Sequence, residues 1–530
     1  MIPRAALTKL AKLVAQDLTD GHMSGGLQGV GEALAAAPNG VPDVLDLLAK
    51  EAGKKKPNGA LVDAYGFMVG QALEILRYGV ERNASNAVEA VAAVRAKVRS
   101  LVEDGKLDPG TLLLILRQFA SAKLDLGDDL QELMASLIDH ESVSILPGKA
   151  EIDDTLAEMA LACGGDAFAL HAELAEQTST FPESHRAGIV AALLGAADPS
   201  LREAAIGWLL DSGPTTRRDT ASLLQQAASA GVVSGTMLRR LITIRNWLPE
   251  DERPAVDAVI RTCRQKGIEC APLKAGAVRE VVASGIDGSG AQSLFVVVKD
   301  GRRQATAALL LKQGVGVRDA WVNAGLTKAE ADGFLFQVET QADCYDSSLD
   351  HVRLTLGHAL AAARESGVLP PFGLVDVVER SGLPSINPEA APVASLVAQL
   401  LSDIPAGRQN AATLAEALKG SATWEDNFLF LESWFEDDGA IDALLEGKQL
   451  SAKRRAALVL DKYLPARRAR WAELLAWNAL TLRQDEATED DWMDFALVAN
   501  ELLGDRPLSE IPLMTVIAEK TVGAWETRLF

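Results

Sequence analysis

The chain contains few cysteines and few histidines. Of its 530 residues, 4 are cysteine and 6 are histidine, and no two cysteines have the Cys-x-x-Cys spacing of a zinc site. The nearest pair, Cys263 and Cys270, fits a helix end and the loop after it better than a disulfide. Few cysteines in a long chain are typical of a reducing compartment. The sequence therefore predicts a cytoplasmic protein without structural metal.

Long apolar runs and positive charge are also scarce. No stretch reaches the roughly 18 apolar residues that a membrane-spanning helix needs, and residues 1–10 lack the apolar core of a signal peptide. Lys and Arg number 52 against 73 Asp and Glu, for a formal net charge of −21. Phosphate backbones and anionic lipids are bound mainly through Lys and Arg. We therefore expect no nucleic-acid partner and no membrane partner, and we interpret the acidity as a source of solubility.

Nucleotide-binding motifs are absent as well. There is no P-loop, and the glycines at 288 and 290 are followed by Ser293 where a dinucleotide fingerprint has its third glycine. The fingerprint also needs a strand before the glycines and a helix after them, whereas here the order is helix, glycines, strand. The sequence therefore predicts a turn at this point and no bound cofactor.

Catalytic motifs are absent too: the chain has no nucleophile elbow and no His-Glu-x-x-His. Asp287 and Asp300 flank an extended segment and could act as a pair of carboxylates, but turn formation explains both. Cys163 precedes two glycines at a predicted helix end, where the helix dipole raises a thiol pKa and so disfavours a nucleophile. The sequence names no catalytic, cofactor-binding or metal-binding residue, and it favours a protein that is not an enzyme.

What the sequence does contain is helix. Aromatic residues make up 5% of the chain, which is rich in Ala and Leu, a composition that favours helices. A chain of 530 residues exceeds the roughly 250–300 residues at which a single core stops growing. The sequence therefore predicts a mainly α protein with several domains or an extended stack of helices.

Residues 285–321 interrupt the helical pattern. The run Leu294–Val298 is β-branched and aromatic, Asp300-Gly301 follows, and a second extended run ends at Leu311. Asp-Gly between two apolar runs is a strong hairpin signal, because a type I′ turn needs positive φ at both central residues. The sequence predicts a β-hairpin covered on both faces by helices, with a third strand near residues 315–317.

Residues 152–267 have a regular pattern of helices about a dozen residues long joined by short turns. One helix is expected to begin with Asp198 as N-cap and Pro199 at its first position. With Arg202 soon after, this stretch resembles HEAT-like helical repeats. The resemblance implies an α-solenoid of stacked helical hairpins that presents a binding surface for another protein.

The C-terminal part differs in composition, because six of the nine tryptophans lie there. Trp424, Phe428, Leu431 and Phe435 have the spacing of one helical stripe, and Trp492 begins a similar stripe. Tryptophans at helical spacing usually pack inward, although a concave binding surface is the alternative. A basic cluster contains residues 453–455 and the arginines at 467, 468 and 470. It is expected to be solvated, to pair with the nearby acidic clusters at 436–438 and 489–491, or to bind an anion or partner.

These patterns divide the chain into five parts: an N-terminal helical region (1–150), HEAT-like helical repeats (151–270), helices with the β-hairpin insert (271–366), a linker (367–392) and a Trp-rich helical domain (393–530). We expect a protein–protein interaction scaffold or regulatory adaptor. The alternative is an enzyme of unknown class with a site near the insert. A deep cavity that gathers ionisable residues near Asp287 and Arg318 would favour the enzyme.

Overall fold

A computed structural model describes residues 2–20, 30–37, 39–82, 84–127, 129–133, 149–273, 275–383, 386–447 and 449–528. The chain divides into two compact units. The first comprises Met1–Glu158, Ala172–Ile189 and Asp438–Ala443, and the second comprises Met159–His171, Val190–Asp437 and Leu444–Phe530. Within the described residues, no helix is both long and apolar enough to cross a membrane.

The N-terminal part of the first unit is a helical bundle. Its helices are α1 (Arg4–Asp20), α2 (Val30–Ala36), α3 (Gly40–Ala52), α4 (Gly59–Glu81), α5 (Ser85–Glu103) and α6 (Pro109–Ser121). Helix α4 packs against each of the others, and its face of small and apolar residues, including Ala64, Met68 and Ala72, is fully buried. The side chains of Asn58 and Asp108 cap α4 and α6 by accepting backbone N–H groups.

A second series of helices extends from α7 to α13. Its members are α7 (Lys149–Ala162), α8 (Ala167–Thr178), α9 (Glu183–Gly195), α10 (Pro199–Ala204), α11 (Pro214–Ala230), α12 (Gly235–Arg245) and α13 (Arg253–Gln265). Asp198 caps α10 with Pro199 at the first position, as the sequence predicts, and Ser234 caps α12. Cys263 lies in α13 and Cys270 in the loop after it, and neither forms a disulfide.

The predicted hairpin is part of a five-stranded antiparallel sheet in the order β4-β3-β2-β1-β5. The strands are β1 (Ala277–Ser284), β2 (Ala291–Asp300), β3 (Arg303–Lys312), β4 (Gly316–Leu326) and β5 (Cys344–Asp346). Asp300 pairs with Arg303 across the turn, which confirms the hairpin. Gly301 has a φ of 59°, but neither Asp300 nor Arg302 has a positive φ, so the expected type I′ turn with two positive φ values is wrong. The third strand is confirmed as β4, whereas β1 and β5 had no clear signal in the sequence.

Helices cover both faces of this sheet, as expected from strand β2, which has apolar side chains on both of its faces. Helix α14 (Lys328–Gln341), which begins with a capping box at Thr327, packs Ala331 and Leu335 against Val282 and Val297. Helix α15 (Leu349–Ser366) contacts β4, and α16 (Gly373–Ser381) contacts β2, β3 and β4. On that second face Leu294 is fully buried.

The range 367–392, predicted as a linker, contains the packed helix α16. Leu374, Val375 and Val377 of this helix have no exposed surface. Prolines and glycines surround the helix in sequence, which is why composition indicated open chain. The two boundaries drawn around this range stay predictions.

The C-terminal part is helical, as predicted. Its helices are α17 (Val393–Asp403), α18 (Ala411–Gly420), α19 (Gly439–Leu445), α20 (Ala452–Lys462), α21 (Arg468–Leu482), α22 (Asp491–Leu503) and α23 (Pro512–Arg528). Helix α21 is buried along most of its length, including Trp471 and Trp477. It packs against α17 and α22.

The expected single helix from Trp424 to Phe435 is wrong. This segment consists of two 3-10 turns, Trp424–Asp426 and Leu429–Ser433. Its aromatic side chains are nevertheless buried, with Trp424 7% and Phe428 6% exposed, except for Phe435, which is half-buried. The Trp424 ring stacks on Phe495 at a centroid distance of 4.1 Å. The aromatic residues are therefore core, as predicted, but individual tertiary contacts and not helical periodicity place them there.

Candidate functional site

A cavity of about 590 Å³ lies in the second unit, where residues 165–168, helix α12, the loop 271–273 and helix α16 meet. Its lining carries three arginines and four carboxylates: Arg239, Arg240, Arg380, Asp166, Glu203, Asp376 and Glu379. Charged side chains that line one concave surface are a reasonable starting point for a binding site. The cavity lining does not include Asp287 or Arg318.

One side of the cavity is an ion-pair network centred on Glu379 of α16. Its Oε1 accepts a hydrogen bond from Nε of Arg239 at 2.9 Å, and its Oε2 lies 3.3 Å from Nη2 of Arg240. Arg240 also donates from Nη1 to Glu203 at 3.0 Å. The Arg240 side chain is 9% exposed, so both partners are needed to compensate its burial. The network fixes α10, α12 and α16 around the cavity.

A second ion pair lies on helix α16 itself. Asp376 Oδ1 accepts from Nε of Arg380 at 2.8 Å, the i,i+4 spacing that brings two side chains together on a helix. The Asp376 side chain is 7% exposed. The pKa of Asp376 is raised to about 6, because burial and, to a smaller extent, nearby Asp166 outweigh the lowering effect of Arg380 and Arg240. Asp376 is therefore a buried carboxylate that one arginine only partly compensates.

Aromatic rings pack against Arg240 of this ion-pair network. The Arg240 guanidinium lies over the Phe168 ring, 4.3 Å from its centroid, a favourable cation–π geometry. Phe168 contacts Phe372 at 4.7 Å, and Phe372 in turn contacts His171 at 5.1 Å. His171 is half-buried, and desolvation lowers its pKa to about 4. Arg240 therefore packs against a cluster of aromatic rings.

Several polar atoms at the cavity make no hydrogen bond within the described part of the chain. These are Nη1 and Nη2 of Arg380, Oδ2 of Asp376, Oδ2 of Asp166 and Oε1 of Glu203. Each belongs to a side chain whose other polar atom is held in place, by an ion pair or, for Asp166, by capping α8. In each of these side chains, one polar atom is therefore held by a hydrogen bond, and another is available to a ligand or to solvent.

The chemistry of this lining suits binding better than bond-breaking. Among the described lining residues, Thr236 supplies the one hydroxyl, and histidine, cysteine and lysine are absent. Nucleophilic catalysis needs a nucleophile within reach of a base. Three of the four carboxylates, Glu203, Asp376 and Glu379, are paired with arginines, and the fourth caps α8. The cavity is therefore a candidate recognition site.

The structure places the sequence candidates elsewhere. Asp287 accepts hydrogen bonds from Ser289 and from the backbone of Ala291, both at 2.8 Å, which is the turn role that its sequence context predicts. Asp300 closes the β2–β3 turn. Cys163 follows the end of α7 and precedes two glycines with positive φ. None of these residues lines the cavity.

The glycine loop, residues 285–292, is hydrogen-bonded to the C-terminal part of the chain. Asn478 of α21 accepts the Ile286 N–H at 2.8 Å, and Trp434 donates its indole N–H to the Ile286 carbonyl at 3.0 Å. The Gly288 N–H donates to Ser433 Oγ at 2.9 Å. Asn478 has no exposed surface. The glycines that look like part of a phosphate loop therefore serve close backbone packing.

We expect Gly288→Ala to destabilise the second unit by about 1–3 kcal/mol, the usual cost of overpacking. A Cβ at this position would lie 1.8 Å from the Ser433 carbonyl oxygen, so the loop or the turn must move. The matched control is Gly333→Ala, where a Cβ meets no atom within 4 Å and alanine favours the helix. Urea unfolding of both variants measures the effect. Equal stability of the two variants would show that the loop is not held as described.

The C-terminal basic cluster pairs with an acidic one, which was one of the expected outcomes. Arg467 Nε lies 3.1 Å and Arg470 Nη1 3.6 Å from Glu436 Oε1. Arg468 donates to the carbonyls of Glu501, Leu502 and Arg506. These arginines therefore hold the C-terminal part together.

The cavity residues were missed in the sequence because their signal is weak. Arg239-Arg240 stands within an otherwise amphipathic helix, and Asp376, Glu379 and Arg380 have i,i+3 and i,i+4 spacing in a segment with several valines. An arginine at an inward-facing position is a hint of a buried partner. Which carboxylates meet which arginines depends on residues more than 130 positions apart, and spacing gives no information on that.

Comparison with known proteins relates two parts of this chain to described domains. Residues 394–526 match the Y4lR C-terminal helical domain, and residues 182–267 match the Y4lR second domain. The chain is also similar to an uncharacterized protein, y4lR, of Sinorhizobium fredii (strain NBRC 101917 / NGR234). The two are 27% identical over 468 residues, which are 86% of this chain and 88% of the relative. No solved structure matches the chain.

Proposed function

We propose that this chain is a protein–protein interaction scaffold or regulatory adaptor, and that the charged cavity receives a segment of its partner. The observation that carries the proposal is the ion-pair network of Glu379, which fixes charged groups around an open cavity without a nucleophile–base pair. Fixed, partly desolvated charges select a partner by complementarity. A cavity of about 590 Å³ has room for one or two side chains of a peptide segment.

We further propose that helices α9–α13 are stacked helical hairpins of the HEAT-like kind. Helix α13 packs against both α11 and α12. Asp198 caps α10 before Pro199, and Arg202 Nη1 donates to the Ala196 carbonyl at 3.3 Å. Helix pairs that cannot bury a face alone are stabilised by stacking. A stack of this kind would place Arg239 and Arg240 of α12 beside the cavity.

The alternative function, an enzyme with a site near the β-hairpin insert, has less support. The glycine loop lies against Trp434 and Asn478, and Asp287 is occupied in its own turn. A catalytic carboxylate must reach substrate. We therefore favour the scaffold over the enzyme.

We expect Thr236→Trp to abolish partner binding by filling the cavity. Thr236 lies at the start of α12 and lines the cavity. Thr340→Trp is the matched control, because Thr340 is exposed on α14 and lies outside the lining. The measurement is affinity capture from the source cell with the full-length chain and both variants, alongside thermal unfolding.

The expected result is one or more proteins captured by the wild-type chain and by Thr340→Trp but not by Thr236→Trp, with similar melting temperatures for all three. Capture of the same proteins by a folded Thr236→Trp variant would contradict the proposal. So would the absence of any protein enriched by the wild-type chain.

A further inference from the structure

We propose that the cavity binds a basic side chain, Lys or Arg, of a partner polypeptide, held by the free oxygens of Asp166, Glu203 and Asp376. This inference rests on the proposed function and names the chemistry that the same site recognises. The occupant is a cationic segment of a protein.

The first support is the set of unused acceptors. Asp166 uses Oδ1 to accept the N–H groups of Phe168 and Ala169 at 2.8 and 3.1 Å. Glu203 uses Oε2 for Arg240, and Asp376 uses Oδ1 for Arg380. The second oxygen of each carboxylate makes no hydrogen bond within the described residues. Three acceptor oxygens on one cavity match the donors of an ammonium or a guanidinium group.

The second support is the charge balance. Three arginines and four carboxylates line the cavity, which leaves one negative charge in excess. Glu379 is shared by Arg239 and Arg240, so both of these cations already have a partner. A cationic ligand restores the balance, whereas the free donors open to an anion within the described residues are Nη1 and Nη2 of Arg380, whose charge is already paired with Asp376. The net charge of −21 on the whole chain also steers cations toward it.

The third support is the state of Asp376. Its pKa is raised to about 6 by burial and by Asp166, and the groups that lower it are Arg380 on its own helix and Arg240 from α12. A ligand cation near Asp166 and Asp376 would screen their repulsion and lower the pKa of Asp376. Binding should then release protons near pH 6 and weaken as Asp376 becomes protonated.

The fourth support is the apolar part of the lining. Ala271, Pro272 and Leu273 line the cavity beside the charged groups, and Leu273 is 42% exposed. Lys and Arg carry long methylene stems that pack against apolar surface while the charged head reaches polar groups. An exposed leucine next to free carboxylates therefore fits both parts of a basic side chain.

The test uses the full-length chain and fluorescently labelled, end-blocked nonapeptides of glycine and serine whose central residue is Arg, Lys, Gln or Glu. Binding is followed by fluorescence polarisation at pH 7. We expect the Arg and Lys peptides to bind at least tenfold more tightly than the Gln and Glu peptides. Asp376→Asn should weaken Arg-peptide binding about tenfold, and Glu203→Gln gives a second, independent variant. Asp350→Asn, whose side chain is 89% exposed and outside the lining, should leave it unchanged.

Two further measurements make the result decisive. At pH 5 the wild-type chain should bind the Arg peptide about tenfold more weakly than at pH 7, because a carboxyl with a pKa of about 6 is then mostly protonated, and the Asp376→Asn variant should lack this change. Arg380→Gln removes a competing cation and should tighten Arg-peptide binding. Preferential binding of the Glu peptide that Arg380→Gln abolishes would overturn the inference in favour of an anion site.

The absence of measurable Arg-peptide and Lys-peptide binding at millimolar concentration would also overturn the inference. The proposed function would survive that result if Thr236→Trp still lost its captured partner. It would fail separately if the captured proteins were unaffected by Thr236→Trp.

Discussion

Trp424→Ala should reduce the free energy of unfolding by about 3–5 kcal/mol, the usual cost of truncating a buried tryptophan. The Trp424 side chain is 7% exposed and its ring stacks on Phe495, with an interplanar angle of 6°. Phe428 meets the same Phe495 ring edge-on at 5.2 Å. Loss of the indole therefore leaves a cavity between the 3-10 segment and α22 that the neighbouring rings cannot fill without moving.

The measurement is thermal and urea unfolding, with Leu429→Ala as the control in the same segment. Leu429 is 57% exposed, and its truncation should cost less than about 0.5 kcal/mol. Partner capture is repeated with both variants. Unchanged stability of Trp424→Ala together with a lost partner would mean that the aromatic cluster is the binding surface and that the core assignment is wrong.

Acidification from pH 7 to pH 5 should destabilise the protein through two desolvated histidines, the half-buried His171 and the buried His351. Desolvation lowers the pKa values of His171 and His351 to about 4, below the value of roughly 6.5 for an unfolded chain. Their stabilising effect is present above pH 6.5 and is lost as the pH falls toward 4, because the unfolded state binds protons more readily. Between pH 7 and pH 5 each histidine should cost about 2 kcal/mol.

Buried carboxylates act in the opposite direction. The pKa of Asp376 is raised to about 6, so its contribution to stability is present at low pH and is lost as the pH rises through 6. Between pH 7 and pH 5, protonation of Asp376 should increase the free energy of unfolding by about 1 kcal/mol. Partial burial raises the pKa values of Asp343 and Asp494 as well, and this effect has the same sign. The net acid effect in the wild-type chain is therefore smaller than the histidine contribution.

His351→Phe separates the two effects. Within the described residues Nε2 of His351 has no hydrogen-bond partner, so phenylalanine removes the titrating group while keeping a ring of similar size. The stability difference between pH 7 and pH 5, measured by urea unfolding, should become about 2 kcal/mol more favourable to low pH in this variant, whatever its absolute stability. His171→Phe should shift the same difference by a similar amount. Identical pH profiles for the wild-type chain and both variants would contradict the assignment of desolvated, neutral histidines.

The β2–β3 hairpin was predictable from the sequence, whereas the contacts of the glycine loop were not. The turn at Asp300-Gly301 and the strand Leu294–Val298 were predictable because local conformational preference and burial on both faces agree there. The role of the glycine loop was not, because Gly288 is required by the backbone of Ser433, 145 residues away. The helix expected at Trp424–Phe435 failed for a related reason, since burial of each ring by a separate neighbour overrode periodicity.

The sequence by itself determined the mainly α composition, the hairpin and third strand of the sheet, the cap at Asp198, and the inward packing of the C-terminal tryptophans. These features depend on residues close in the chain and on the tendency of apolar side chains to avoid water. Only the tertiary structure decided that Arg239 and Arg240 meet Glu379 and that a cavity lies beside them. Ion pairs between distant segments leave no periodic signal, because each partner looks like an ordinary surface charge until the fold buries it.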